Sequence, residues 1–186
     1  MKTISTDMTK VNLVAILAVF IVLVFSLKSV LLPIFLVLSI ETAIWLNLAI
    51  PYFSDTPIFY IAYLIISSIQ LGATVDYAIL MTDRYRENRM QGSKKEAVIQ
   101  TIMDVTVSIL TSGSTLTVVG LLMGYISSNQ LLGQLGLFIG RGAIFSLIIV
   151  LFVLPGILYL FDHFIIKSNP VFLTEKEGEE VEEALA

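Results

Sequence analysis

Apolar residues in this chain gather into five long runs, Val11 to Leu27, Val30 to Ile50, Ile58 to Thr82, Ala97 to Met123 and Leu131 to Phe161. About 20 helical residues cross a hydrocarbon core of roughly 30 Å, and each run comes close to or exceeds that length. The pattern predicts an all-α fold, a polytopic membrane bundle of five transmembrane helices. Pro33 falls in the first turn of the second run, where a proline costs a helix little. Pro51 to Pro57 carries the prolines and small polar residues of a turn. The fifth run is longer than one crossing requires, so its glycine-rich start is expected in the interface or against a neighbouring helix. The expected organisation is an extracytoplasmic end at residues 1–10, a bundle at 11–165 and an acidic cytoplasmic tail at 166–186.

Composition agrees with a lipid solvent. Of the 186 residues 56% are apolar and 14% charged, with a mean hydropathy of +0.90, well outside the range of a soluble domain. The net charge of −4 misleads, because Glu175, Glu177, Glu179, Glu180, Glu182 and Glu183 crowd the last twelve residues. The rest of the chain is close to neutral. That tail is expected to be disordered and cytoplasmic. With no cysteine and one histidine, His163, thiolate metal sites and disulfides are excluded and no cofactor is expected. No Ser-His-Asp set suggests a membrane hydrolase, so the chain is not expected to be an enzyme. No nucleic-acid partner is expected either. Met1 to Lys10 lacks the features of a signal peptide, so the first run is expected to be retained.

The basic residues assign a direction. Lys28, Arg84, Arg86, Arg89, Lys94, Lys95, Lys167 and Lys176 fall on one side of a five-crossing chain, against Lys2, Lys10 and the membrane-edge Arg141 on the other. The richer side is expected to be cytoplasmic, in a multi-pass protein of the cell membrane with its N-terminus outside. That placement leads to the expectation that the chain continues something upstream. The charged stretch Asp83 to Glu96 reads either as an amphipathic helix on the inner surface or as a solvated connector.

Polar residues inside the runs are the candidates for chemistry. Asp76 lies about seven residues from the cytoplasmic end of the third run, roughly 10 Å deep. An Asp at mid-helix costs about 2.5–3.5 kcal/mol on insertion scales, and such acids tend to mark ion or proton pathways. Ser68, Gly72 and Asp76 recur every fourth residue and share a helix face. The expectation is that this face turns into the bundle, with the third and fourth helices side by side. A structural, locally satisfied Asp is the alternative to proton coupling. In the fourth run Asp104, Ser108, Thr111, Ser112 and Thr115 form a matching stripe. Their hydroxyls could support the acid or could bond their own backbone carbonyls. Glu41, midway along the second run, is either paired with Asn47 or a neighbouring helix, or part of the same coupling. Gly133, Gly136, Gly140 and Gly142 contain a Gly-xxx-Gly spacing that favours close helix packing. Arg141 reads as an interfacial anchor snorkelling outward, with a gating ion pair as the alternative.

Gly72-Ala73-Thr74-Val75-Asp76-Tyr77-Ala78-Ile79, followed by Arg84-Tyr85-Arg86-Glu87, resembles the signature of the MMPL family, transporters of the resistance-nodulation-division (RND) superfamily. Thr111 to Thr117, and Gly140 to Ala143 through Leu154-Pro155, are also similar to that family's last two helices. The resemblance covers nearly all of residues 8–165. It implies a full-length protein of twelve helices in two repeats, each with a large extracytoplasmic porter domain, and the five runs would be the last five helices. Residues before Met8 would then end the second porter domain, and the first repeat would be missing. Asp76 would be the titrating carboxylate of a proton relay and Tyr77 its hydroxyl companion. The implied function is proton-motive-force-driven export of lipids or other hydrophobic compounds. The implied partners are membrane lipids, a hydrophobic substrate and the N-terminal repeat; an oligomer is open. A non-transporting scaffold, or an inactive remnant of such a transporter, is the alternative function.

Overall fold

The computed structural model describes residues 2–27, 30–54 and 57–167. Lys28, Asp55 and nearly all of the acidic tail, including Lys176, lie outside the described residues. Five long helices make up the body: α1 (Lys2–Leu27), α2 (Leu31–Phe53), α3 (Tyr60–Gln91), α4 (Lys94–Ile126) and α5 (Gln130–Ile148). A π-helical turn, Ile149–Val153, continues α5 into α6 (Leu154–Leu160), and a short α7 (Asp162–Lys167) follows. All five are long and apolar enough to cross a membrane. Their outer surfaces carry side chains such as Leu13, Val107 and Phe152, exposed by 65%, 72% and 77%. In water such surfaces would drive aggregation, whereas hydrocarbon solvates them, so the fold is an all-α membrane bundle.

The charged stretch is neither a separate surface helix nor an open connector. Residues 83–91 continue α3 beyond the apolar run, held by i,i+3 ion pairs of Arg84 with Glu87 (2.6 Å) and Arg86 with Asp83 (3.9 Å). The chain breaks only at Gly92 and Ser93. Ser93 then caps α4, its Oγ accepting from the Glu96 amide while the Glu96 carboxylate accepts from the Ser93 amide. Hydropathy alone ended the third run at Thr82, because propensity and capping act where the apolar signal stops.

Helices α4 and α5 form the tightest pair. A Cβ on Gly136 would stand 2.5 Å from the Gly124 nitrogen, and one on Gly120 2.5 Å from the Gly140 nitrogen. Two facing Gly-xxx-Gly pairs therefore bring backbone against backbone. The glycine-rich start of the fifth run does lie against a neighbour. Asn129 caps α5 by accepting from the amides of Leu131 and Leu132. Lower down, the π-helical turn ends two residues before Pro155, whose ring lacks an N–H and crowds the carbonyl four residues earlier, within that turn; widening the helix there accommodates it.

The apolar core joins Leu23 and Leu27 of α1, Leu36, Ile40 and Ile44 of α2, Leu71, Val75 and Met81 of α3, and Val105 and Ile109 of α4 to Val150, Leu154 and Leu158 of the last crossing. Polar ties close both ends. At the end away from the charged turn, Gln134 of α5 donates to the Pro57 carbonyl (2.8 Å) and accepts from the Phe59 amide (2.8 Å). At the charged end Arg86 donates to the Leu27 carbonyl, capping α1. Asp162 accepts there from Tyr85 Oη (2.6 Å) and Arg89 Nε (3.0 Å).

Candidate functional site in the third and fourth helices

Helix α3 carries two polar faces, and the structure turns the less conspicuous one inward. Ser67, Gln70, Thr74 and Tyr77 are spaced three, four and three residues apart, one side of a helix. Each reaches a different neighbour. Ser67 Oγ donates to Asn12 Oδ1 of α1 at 2.9 Å. Gln70 Oε1 accepts from Asn47 Nδ2 of α2 at 2.9 Å, and the same Asn47 nitrogen donates to the Phe138 carbonyl of α5 at 3.0 Å. Thr74 and Ser146 of α5 share a hydrogen bond of 2.7 Å. Tyr77 Oη lies 3.1 Å from Ser112 Oγ of α4. Asn47 and Thr74 are fully buried, and Gln70, Ser67 and Ser146 nearly so. In a bilayer interior a buried amide or hydroxyl must find protein partners, and this ladder supplies them from four helices for every member but one atom, Asn47 Oδ1, which is buried without a hydrogen-bond partner.

Ser68, Gly72 and Asp76 occupy the opposite side. All three are exposed, and a Cβ on Gly72 would meet nothing within 4 Å. The expectation that Asp76 faces the bundle is therefore corrected. Although α3 and α4 do pack side by side, Asp76 opens outward into a groove lined by Ala73, Tyr77, Ser112, Thr115, Leu116 and Val119. The groove continues along α3 past Ile79 and Leu80 to Asp83, Arg84 and Glu87. Asp76 lies about 24 Å along α3 from Tyr60 at 1.5 Å per residue, near the middle of the helix.

The α4 stripe shares this outward aspect, since Asp104, Ser108, Thr111, Ser112 and Thr115 are all exposed. Its members behave differently. Thr111 and Thr115 donate to the carbonyls of Val107 (2.7 Å) and Thr111 (2.8 Å), satisfying themselves within the helix. Ser68 does the same with the Leu64 carbonyl at 3.1 Å. Ser112, by contrast, is engaged by Tyr77. Asp104 belongs to the charged end, where it accepts from Asn88 Nδ2 (3.0 Å) and Gln100 Nε2 (2.8 Å).

Glu41 is not paired with Asn47. One of its oxygens accepts from Trp45 Nε1 at 3.2 Å, a turn away on α2, and Oε1 is buried without a hydrogen-bond partner. Arg141 sits about 16 Å along α5 from Gln130, deeper than a membrane-edge position. It reaches back one turn, its Nε donating to the Leu137 carbonyl at 3.3 Å and its guanidinium lying 5.0 Å from the Phe138 ring centre. No acid pairs with it among the described residues. No group of three His, Asp or Glu side chains that could hold a metal ion occurs among the described residues.

Sequence reasoning passed over Gln70, Thr74, Ser146 and Asn12. Their signal was the 67, 70, 74, 77 spacing on α3, which competes with the equally regular 68, 72, 76 spacing. The Tyr85, Arg89 and Asp162 cluster had no local signal, because Asp162 stands 77 residues from Tyr85 and 73 from Arg89.

Comparison with known proteins agrees with this architecture. A protein of Streptomyces coelicolor named as a membrane protein is 31% identical over 154 residues, covering 79% of this chain and 21% of its own length. A protein of Methanocaldococcus jannaschii, also named as a membrane protein, is 30% identical over 95 residues, covering 51% of this chain and 24% of its own length. The chain thus spans about a fifth to a quarter of the relatives it matches. No solved structure matches it. The model of the MMPL family matches residues 1–174, nearly the whole chain, and the protein belongs to the MMPL family of membrane proteins.

Proposed function

We propose that this chain forms the C-terminal membrane portion of a proton-motive-force-driven exporter of lipids or other hydrophobic compounds, with Asp76 and Tyr77 in the proton relay. One observation carries the reading. A carboxylate within the apolar run of a membrane helix opens onto an outward groove that it shares with Tyr77, Ser112 and Thr115. Against lipid such a group would cost about 2.5–3.5 kcal/mol, so this face calls for a polar partner. An N-terminal repeat of the same family, in a further segment or a separate chain, would provide the second wall of a path between repeats. The basic residues at the α3–α4 turn support a cytoplasmic placement of that end. A proton crossing toward it would release roughly 2.3 kcal/mol per 100 mV of membrane potential, a usable driving force.

Reconstitution into liposomes under an imposed pH gradient tests the proposal. Three preparations are compared: the chain alone, the chain with the first repeat of a related exporter, and that pair carrying Asp76→Asn. Gradient-driven export of a fluorescent lipid is expected only from the unmodified pair. Transport by the isolated chain would overturn the two-repeat reading, and full transport by the Asp76→Asn pair would remove Asp76 from the proton path.

A further inference from the structure

Arg141 holds a charge in the last crossing that no acid among the described residues balances. The residue is half-buried, and among the described residues only its Nε makes a hydrogen bond, to the Leu137 carbonyl. A guanidinium stays charged in a protein and carries five N–H donors, so four are left to be met from outside the chain. Its height follows from the helix. Gln130–Leu160, 31 residues, is about 46 Å long at 1.5 Å per residue, so a hydrocarbon core of roughly 30 Å centred on it leaves about 8 Å at either end. The side chain folds back one turn to the level of Leu137, about 10 Å from Gln130, where hydrocarbon gives way to headgroups. Tyr125 marks the same level on α4, since Gly136 packs against Gly124 and the Tyr125 ring next to it is exposed, as interfacial tyrosines are. Toward the charged end the surface turns apolar. Ile144 and Ile148 stand three and seven residues beyond Arg141, on its face of the helix, and both are exposed. From Leu137 to Ile148 is about 16 Å, against roughly 15 Å for one leaflet of hydrocarbon.

We propose that Arg141 is the binding site of an anionic phospholipid in the leaflet at the α2–α3 end, with the phosphate on its Nη groups and an acyl chain along Ile144 and Ile148. A guanidinium meets a phosphate through two parallel N–H donors, a more directional bond than a single ammonium makes. The lipid's net charge selects among headgroups. A zwitterionic phosphate brings its own cation, whereas phosphatidylglycerol carries one negative charge that the arginine balances. The Leu137 carbonyl, 3.3 Å from Nε, and the Phe138 ring, 5.0 Å from the guanidinium, steady the side chain against the helix and leave the Nη groups to the lipid. The site is separate from Asp76, whose groove lies between α3 and α4.

Native mass spectrometry of the full chain, released from nanodiscs of phosphatidylglycerol, phosphatidylcholine and oleate, reads which lipid it retains. Retained phosphatidylglycerol is expected, bound roughly tenfold or more weakly in Arg141→Gln and to an intermediate degree in Arg141→Lys, which keeps the charge without the fork. Lys95→Gln, at the exposed charged turn, should leave retention unchanged. A benzophenone side chain introduced at Ile148 should crosslink to phosphatidylglycerol in the parent and lose that product when combined with Arg141→Gln. Equal retention and crosslinking with and without Arg141→Gln would overturn the site. Arginine-dependent retention of oleate in place of phosphatidylglycerol would overturn the phosphate assignment. Loss of retention in Lys95→Gln but not in Arg141→Gln would reduce the binding to general surface attraction and overturn the site as well. Should Arg141→Gln fail to insert, Arg141→Lys decides, and its undiminished retention would overturn the fork.

Discussion

Tyr85 Oη donates to Asp162 Oδ1 at 2.6 Å, joining α3 to the start of α7 across 77 residues of sequence. Arg89 lies beside them, with Nε 3.0 Å from the same oxygen and Nη1 donating to the Gly92 carbonyl at the end of α3. The Asp162 side chain is only 9% exposed and that of Arg89 23%. The cluster therefore fastens the last crossing to the charged extension of α3 at the point where the chain leaves the bundle.

Removing the acid from this cluster should cost more than removing the phenol. Asp162→Ala leaves Arg89 partly buried without its carboxylate and is expected to destabilise the chain by about 2–3 kcal/mol, whereas Tyr85→Phe should cost about 1–2 kcal/mol. Denaturant-induced loss of helicity in mild detergent measures both. Equal stability of Asp162→Ala and the parent would mean that the ion pair contributes nothing.

The glycines should separate by location. Gly136→Ala places a methyl 2.5 Å from the Gly124 nitrogen, so α4 and α5 must move apart, at an expected cost of about 1–3 kcal/mol. Gly72→Ala meets nothing within 4 Å in this chain and should be neutral or stabilising by about 0.5–1 kcal/mol through helix propensity. The same unfolding assay ranks the two, and a reversed order would contradict the α4–α5 contact.

Asn47 and Gln70 should show coupling. Either single change to Leu leaves a buried amide without its partner, while the double change removes both, so the double variant should be more stable than the sum of the single losses predicts. A coupling energy of about 0.6 kcal/mol, and at most about 1.7, is expected for such a bond in a membrane bundle. Strict additivity would place the two amides out of contact in the membrane.

Topology can be checked directly because the chain has no cysteine. Ser93 and Ser54 are exposed at opposite ends of α3, at the α3–α4 and α2–α3 turns. Single cysteines there should react with a membrane-impermeant maleimide from opposite faces of the cell membrane, Ser93→Cys only after the cytoplasmic side is opened. Labelling of both from one face would overturn the crossing of α3.

Much of this protein was legible before its fold was known. Run length identifies the five crossings, because a bilayer admits only long apolar helices or closed barrels. The spacing Gly136-x-x-x-Gly140 marks a close helix contact, because small-residue packing is local chemistry, whereas the start of α4 at Lys94, capped by Ser93 and Glu96, lay inside the stretch read as a surface helix or connector. The motif around Asp76 pointed to the family without any knowledge of where the side chain pointed. That orientation was decided by the tertiary structure. In a soluble helix apolar residues would reveal the buried side, but lipid is as apolar as leucine, so hydropathy does not tell a face turned to neighbours from one turned to the membrane. On α3 both the 68, 72, 76 face and the 67, 70, 74, 77 face carry polar residues at helical spacing. The rotation of the helix was set by the partners waiting on other helices: Asn12, Asn47, Ser146 and Ser112 satisfy the second face, and Asp76 is left to the outside. Pairings across 55, 23, 72 and 35 residues depend on how five helices assemble, and no local pattern in a single helix carries that information.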